Sequence, residues 1–197
     1  MRYELYVIDT ETTGLRVGEH FPVEISLYRL STDEQKTWHL KPLRTDNIEQ
    51  DALRITGLKL EDLLGQTKEG RALYQTPAKV LIEIENWVAQ DDRPSNERLL
   101  VAQNAAFDKG MMEALWEKCE SSGTYPFNTR YSLDTMNLQL ALDLARGEEG
   151  EGYNLAKLAK RHSVKNEKAH SAAADCRCCA EVFRKQISAF GSLAGTS

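Results

Sequence analysis

Residues Leu5–Leu15 read L-Y-V-I-D-T-E-T-T-G-L, and the fold is decided there. Leu5, Tyr6, Val7 and Ile8 form a continuous apolar run of the kind that fits a central strand buried on both faces. Asp9 and Glu11 follow, two residues apart. Side chains alternate along a strand, so both carboxylates point to the same side. Two carboxylates held together repel unless a positive charge lies between them. Oxygen-only donors favour Mg²⁺ or Mn²⁺ over zinc. Thr12, Thr13, Gly14 and Leu15 then leave the strand, with Gly14 allowing a turn or a close approach to a ligand. By itself D-x-E fits a strand that ends in a polar loop equally well. It becomes a site only if later carboxylates complete it.

Working outward, Pro22–Leu30 alternates Val23, Ile25 and Leu27 against Glu24, Ser26 and Tyr28, which predicts a half-buried strand. Gln35–Leu40 predicts a third strand, closed by Pro42. The link between the first two strands is too short for a helical crossover, so the first three strands form an antiparallel meander. Asn47–Leu64 reads as two short helices divided by Gly57. Thr76–Gln90 reads as a longer one, with Thr76 as N-cap, Pro77 at the first helical position and positions 80, 81, 84, 87 and 88 on one apolar face.

Leu99–Ala102 predicts a short buried strand and Gln103–Cys119 a strand end and helix. Tyr131–Leu133 predicts another strand, with Asp134 capping a helix through Met136, Leu138, Leu140, Leu142 and Leu144. Gly147–Gly152 is a solvated loop, and Leu155, Leu158 and Ala159 belong to a short helix. A last helix runs from near Ser171 to about Phe190. Strands that come first and then alternate with helices imply an α/β domain over residues 1–190 with a mixed sheet, followed by a flexible tail over 191–197.

The chain has 197 residues, 41% of them hydrophobic, a net charge of −5 and a pI near 5.5. That balance argues against a broad basic surface that grips nucleic acid non-specifically. It leaves room for a nucleic-acid enzyme, because a metal site gathers acidic residues. No run of 18 apolar residues is present and the N-terminus enters the first strand directly, so a cytoplasmic setting is expected. Of Cys119, Cys176, Cys178 and Cys179, three crowd into C-R-C-C. This is a poor disulfide framework and fits small helix residues better than a zinc site.

Two later stretches carry acidic groups that complete a site. In V-A-Q-N-A-A-F-D-K-G-M-M, residues 101–112, Asn104 and Asp108 are four apart at a helix start and so share a face. That start lies at the carboxyl end of the sheet, where α/β proteins keep their sites. In A-H-S-A-A-A-D-C, residues 169–176, His170 and Asp175 are five apart, about 500° on a continuous helix. The geometry therefore puts His170 in the preceding loop and Asp175 in the helix. Histidine is the side chain suited to act as a general base near neutrality. Each stretch alone fits ordinary helix capping and a surface histidine.

Taken in order, D-x-E, N-x-x-x-D and H-x-x-x-x-D resemble the DnaQ-like 3′–5′ exonucleases, the DEDDh branch of the ribonuclease H-like superfamily. This branch includes the proofreading epsilon subunits of bacterial DNA polymerase III. The resemblance runs from Leu5 to about Ile187 and includes A-L-R-I-T-G-L at Ala52–Leu58, L-D-T at Leu133–Thr135 and N-L-A-K-L-A-K-R at Asn154–Arg161. It implies a ribonuclease H-like mixed sheet of about five strands flanked by helices. It also implies two Mg²⁺ or Mn²⁺ ions, with Asp9, Glu11, Asp108 and Asp175 as metal ligands and His170 as the base, and release of nucleoside 5′-monophosphates. Thr12, Gly14, Leu15, Asn104 and Phe107 would meet the substrate's 3′ end. Two departures, Gln103 where many members have histidine and Lys109 where many have an aliphatic residue, bear on fine substrate preference.

The resemblance puts DNA ends first, in proofreading or repair. Trimming of RNA or short oligoribonucleotides is the alternative, and a non-catalytic polymerase-docking module is a second. An aspartyl-phosphate phosphatase would need D-x-D where this chain has Glu11. Finally, Q-I-S-A-F at Gln186–Phe190 is similar to peptides that bind bacterial sliding clamps. The same residues, with Val182 and Phe183, also fall at helical spacing and fit packing on the core.

Overall fold

The structure is a computed structural model that describes residues 2–119, 123–166 and 171–194. Its centre is a five-stranded sheet in the order β3-β2-β1-β4-β5. Strand β1 (Glu4–Thr12) pairs antiparallel with β2 (Pro22–Arg29), and β2 with β3 (Glu34–His39). Strand β4 (Arg98–Ala102) adds to β1 in parallel, and β5 (Ser132–Asp134) to β4 in parallel. The expected antiparallel meander and mixed sheet are both present.

Eight α-helices and two short 3-10 turns, Ala89–Asp91 and Ser95–Glu97, complete the described residues. Between β3 and β4 come α1 (Gln50–Thr56), α2 (Leu60–Leu63), α3 (Lys68–Leu73) and α4 (Pro77–Val88). Helix α5 (Ala105–Lys118) joins β4 to β5. Helices α6 (Thr135–Arg146), α7 (Leu155–Arg161) and α8 (Ala172–Ala194) follow. Gly57 ends α1 at φ 72°, a left-handed conformation that costs glycine little. Pro77 opens α4 as expected, although the Thr76 side chain makes no capping bond.

The sheet is covered on both faces. Tyr6, Ile8, Ile25, Leu27, Trp38 and Leu100 pack with Val80, Leu81, Ile84 and Val88 of α4 and with Met112 and Leu115 of α5. Val7 and Val101, one residue out of phase, pack on the other face against Cys176, Cys179, Ala180 and Phe183 of α8. The alternation of β1 therefore sends Tyr6, Ile8 and Thr10 toward α4 and α5, and Val7, Asp9 and Glu11 toward α8.

Several expectations change. Strand β2 is not half-buried, because α8 covers its second face and Ser26 is fully enclosed. Helix α3, a short polar turn, has no counterpart in the sequence reading. Leu140 and Leu144 of α6 face solvent, while Leu142 is buried. Helix α8 continues to Ala194, beyond the expected end near Phe190 and into the segment read as a tail. Gln186 is fully buried and donates through Nε2 to the Thr135 carbonyl at 2.8 Å. The residue that would begin a clamp-binding peptide is thus locked between α6 and α8. All four cysteines are buried, and among the described residues none forms a disulfide. Cys176 and Cys179 belong to one apolar cluster and Cys178 to another, and burial pushes all three thiols up, away from the thiolate that zinc requires.

Candidate active site

Asp9 and Glu11 stand at the end of β1, on the face that α8 covers. Asp175 lies in the first turn of α8. One carboxylate oxygen from each of the three residues lies within 4.8 Å of the others. The three are half-buried, so they share a walled but open niche. Asn166, in the segment before α8, donates its Nδ2 to Asp175 Oδ1 at 2.7 Å.

Asp108 does not join this trio. It is buried in the first turn of α5, where its Oδ1 accepts the Thr10 hydroxyl at 2.8 Å. Thr10 points to the α5 face of β1, so Asp108 approaches the strand end from the opposite side to Asp175. Its charge still reaches Asp9 and Glu11, raising the pKa of each. His170 lies outside the described residues.

Among the described residues, the electrostatics are those of clustered carboxylates that repel one another. Burial, followed by repulsion from Asp108, Glu11, Asp175 and Glu24, holds Asp9 well above the usual carboxylate range. Burial and the charges of Glu24, Asp175 and Asp108 raise Glu11 to about 7. Burial raises Asp108 to about 7 against the pull of the Thr10 hydroxyl. A cluster of oxygen donors whose ionisation is opposed by burial and by neighbouring carboxylates fits a hard divalent cation, which would supply positive charge.

Glu24 is a participant that the sequence reading used only as the outward residue of a strand. It lies directly across the β1–β2 pair from Glu11, and the register skips a residue at this point, a bulge beside the site. His39 of β3 faces Glu24 in turn, with Nδ1 to Oε2 at 3.5 Å. Only the register reveals this neighbour. No motif spacing could have found it.

A cavity of about 370 Å³ opens beside Glu11. Thr10, Glu11, Thr12, Leu15 and Phe107 line one side, and Glu49, Asp51, Ala52, Ile55 and Thr56 of α1 and its approach line the other. Leu15 is 77% exposed and Ile55 58%, an unusual display of aliphatic surface at a cleft mouth. Of the expected substrate contacts, Thr12, Leu15 and Phe107 are thus at the cavity. Gly14 lies behind it and takes the Thr12 hydroxyl on its carbonyl at 2.7 Å. Ile55 sits within the A-L-R-I-T-G-L stretch and was not singled out as a site residue.

Asn104 differs from its expected placement. It precedes α5 in a left-handed conformation, φ 64°, so it does not share a helical face with Asp108, and its side chain does not cap the helix. Asp134 takes over that task from β5: its Oδ2 accepts the Ala105 amide at 2.9 Å while its Oδ1 caps α6 at Met136. The Asn104 side chain is left exposed at the end of the sheet that carries the carboxylates. Gln103 is bound on both sides, accepting the Thr135 hydroxyl at 2.7 Å and donating to the Tyr153 carbonyl at 2.6 Å. Lys109 pairs with Glu113 one turn on.

The comparisons with known proteins agree with the fold. The exonuclease family model of ribonuclease T type matches residues 6–183. A ribonuclease T of Vibrio campbellii is 30% identical over 201 residues, covering 96% of this chain and 87% of its own. Among solved structures, Escherichia coli exonuclease I in complex with single-stranded DNA superposes with a TM-score of 0.76 at 18% identity, over 100% of this chain. This chain spans 43% of that protein's length. Cell-death related nuclease 4 superposes with a TM-score of 0.73 at 14% identity, over 95% of this chain and 64% of its own. With a family model covering most of its length and the acidic trio in place, this chain belongs to the ribonuclease T-type exonuclease family, the DEDDh 3′–5′ exonucleases of ribonuclease H-like fold.

Proposed function

We propose that this protein removes nucleotides one at a time from single-stranded 3′ ends, with RNA as the first substrate and DNA as the second. The observation that carries the reading is the Asp9, Glu11 and Asp175 trio, whose Glu11 also lines a cleft sized for one or a few nucleotides. The substrate order reverses the expectation from sequence. The relatives that match along nearly the whole chain are named ribonuclease T, whereas the likeness to exonuclease I is one of fold.

Asp9, Glu11 and Asp175 would hold one divalent cation, Mg²⁺ or Mn²⁺, and Asp9 with Asp108 would serve a second. Bound there, two such ions stabilise the attacking and leaving oxygens of a phosphodiester displacement. The protein's own groups do the rest. Leu15, Phe107 and Ile55 hold the terminal base by apolar contact, and the buried Thr12 and its backbone face the terminal sugar. His170 takes the proton of the attacking water, a role for which histidine is the suited side chain near neutrality. Asn166 and Thr10 fix the orientations of Asp175 and Asp108.

The test is end-labelled degradation of a single-stranded RNA, the same sequence as DNA, and a mismatched DNA duplex, with Mg²⁺, Mn²⁺ or EDTA. Stepwise 3′ shortening of RNA and then single-stranded DNA, abolished by EDTA and by Asp9→Asn in a folded protein, supports the reading. Shortening confined to DNA overturns the substrate order. Full activity in Asp9→Asn or Asp175→Asn overturns the site.

A further inference from the structure

We propose that His20 is the positioning residue that holds Leu15 at the mouth of the cleft and so sets the grip on the 3′-terminal nucleotide. The proposal rests on the reading of that cleft as the end-binding pocket.

Leu15 is 77% exposed, yet its two chain neighbours are anchored by one buried side chain. His20 is completely buried. On one side of Leu15, Gly14 lies flat on the imidazole, where an added Cβ would come within 2.7 Å of three ring carbons. This is why glycine stands there: any side chain would push the loop off the ring. On the other side, the Arg16 amide donates to His20 Nδ1 at 2.9 Å. The Arg16 carbonyl accepts the His20 amide at 2.8 Å and the Glu19 amide at 3.1 Å, closing the loop into a tight turn. Apart from the packing of Gly14, the loop 15–19 has little core of its own, since all five of its residues are exposed. A histidine buried beneath it replaces that missing core.

The same imidazole faces the opposite wall. Because Nδ1 accepts a hydrogen bond, the proton of the neutral ring sits on Nε2. Nε2 faces Glu49 Oε1 at 3.4 Å, without the alignment of a hydrogen bond, and has no hydrogen-bond partner among the described residues. Glu49 lines the cavity and caps the approach to α1, which carries Ile55. Its amide donates to the Thr13 carbonyl at 2.8 Å, and the Thr13 hydroxyl donates to Asp46 at 2.5 Å. The two walls of the cleft, Leu15 on one and Ile55 on the other, therefore meet at His20, Thr13 and Glu49. His20 contacts Gly14, Arg16 and Glu49 rather than the acidic trio, so its effect falls on binding rather than on the reacting atoms.

The experiment compares wild type, His20→Ala, His20→Asn and Gly14→Ala by steady-state cleavage of a labelled oligonucleotide, by thermal melting and by tryptic cleavage after Arg16. The loss of one loop-anchoring hydrogen bond predicts a KM rise of about three- to tenfold in His20→Ala, with kcat within about twofold of wild type. His20→Asn, whose Oδ1 can accept the Arg16 amide, recovers most of the loss. Gly14→Ala reproduces the KM rise from the loop side. Trypsin cuts after Arg16 faster in His20→Ala than in His20→Asn.

A folded His20→Ala protein with wild-type KM and wild-type tryptic cleavage overturns the proposal. So does a loss confined to kcat. If His20→Ala fails to melt cooperatively, Gly14→Ala decides by the same two readouts. If the wild-type chain shortens no 3′ end, it is the function reading that fails, and the tryptic rates alone then decide for or against the His20 anchor.

Discussion

Asp134 on β5 accepts the amide of Ala105, 29 residues earlier, at 2.9 Å, and with its other oxygen caps its own helix α6. One carboxylate thus satisfies the first turns of the two helices that flank the end of β4. An ordinary N-cap is worth about 1 kcal/mol. Asp134→Ala should therefore destabilise the protein by about 2–3 kcal/mol, since it leaves orphan amides at two helix starts. Urea unfolding measures this, and a loss no larger than that of a typical surface substitution would show that the double cap is unimportant.

The acidic niche makes a prediction about pH. Glu11 lies at about 7 in the folded chain against an ordinary value of 4.5, Asp108 at about 7 against 3.8, and Asp9 is also raised. A raised folded pKa means that the folded state binds protons more tightly than the unfolded chain. The stability these groups contribute is therefore present below about pH 4 and is lost as pH rises toward 7. Melting of the metal-free protein should show this loss, and Glu11→Gln should reduce it. Stabilisation by added Mg²⁺ should grow over the same window, because the cation displaces those protons. A metal-free protein in which Glu11→Gln leaves the pH dependence unchanged would contradict it.

Under the opposite end of β1, Arg98 and Asp91 form a buried pair at 2.7 Å, and the Tyr6 hydroxyl donates to the same carboxylate at 2.7 Å. Burial raises the Asp91 pKa, but the bonds from Arg98, Tyr6 and the Arg93 amide outweigh it and leave the group below its ordinary value. Removing one partner of a buried pair costs about 3–5 kcal/mol. Asp91→Ala should lower stability by that order while leaving kcat per folded molecule unchanged. The contribution of Asp91 itself is lost on acidification, as pH falls below the usual carboxylate range. Equal stability of the variant and the wild type at pH 7 would refute this account.

Gln186 distinguishes a structural from a partner-binding role. Its Nε2 donates to the Thr135 carbonyl at 2.8 Å and lies 3.3 Å from Gln139 Oε1. Gln186→Ala removes the side-chain donor to the Thr135 carbonyl, while Gln139 Oε1 keeps its contact with His162 Nε2 at 2.6 Å, and should cost about 1–3 kcal/mol. A binding peptide would instead require Gln186 to be exposed. Normal melting in Gln186→Ala, together with lost retention on immobilised sliding clamp, would restore the partner reading.

Much of the site was legible in the sequence because its first half is local. The period of two along β1 placed Asp9 and Glu11 on one side before any neighbour was known, and the apolar run before them marked a central strand. Gly57 and Pro77 marked helix boundaries through their own backbone preferences, and Asp134 announced itself as a cap for α6. What the sequence by itself determined was therefore the strand, the caps and the identity of the acidic residues. Tertiary structure alone decided which of them meet. Asp175 reaches Asp9 because α8 packs on one face of the sheet, and Asp108 instead turns to Thr10 because α5 packs on the other. Glu24 stands opposite Glu11 because of a strand register, Ala105 finds its cap on β5, and Gln186 is buried because α6 lies against α8. Each of these contacts joins residues far apart in the chain. Side-chain period and local propensity act over a few residues only, so they could not specify them.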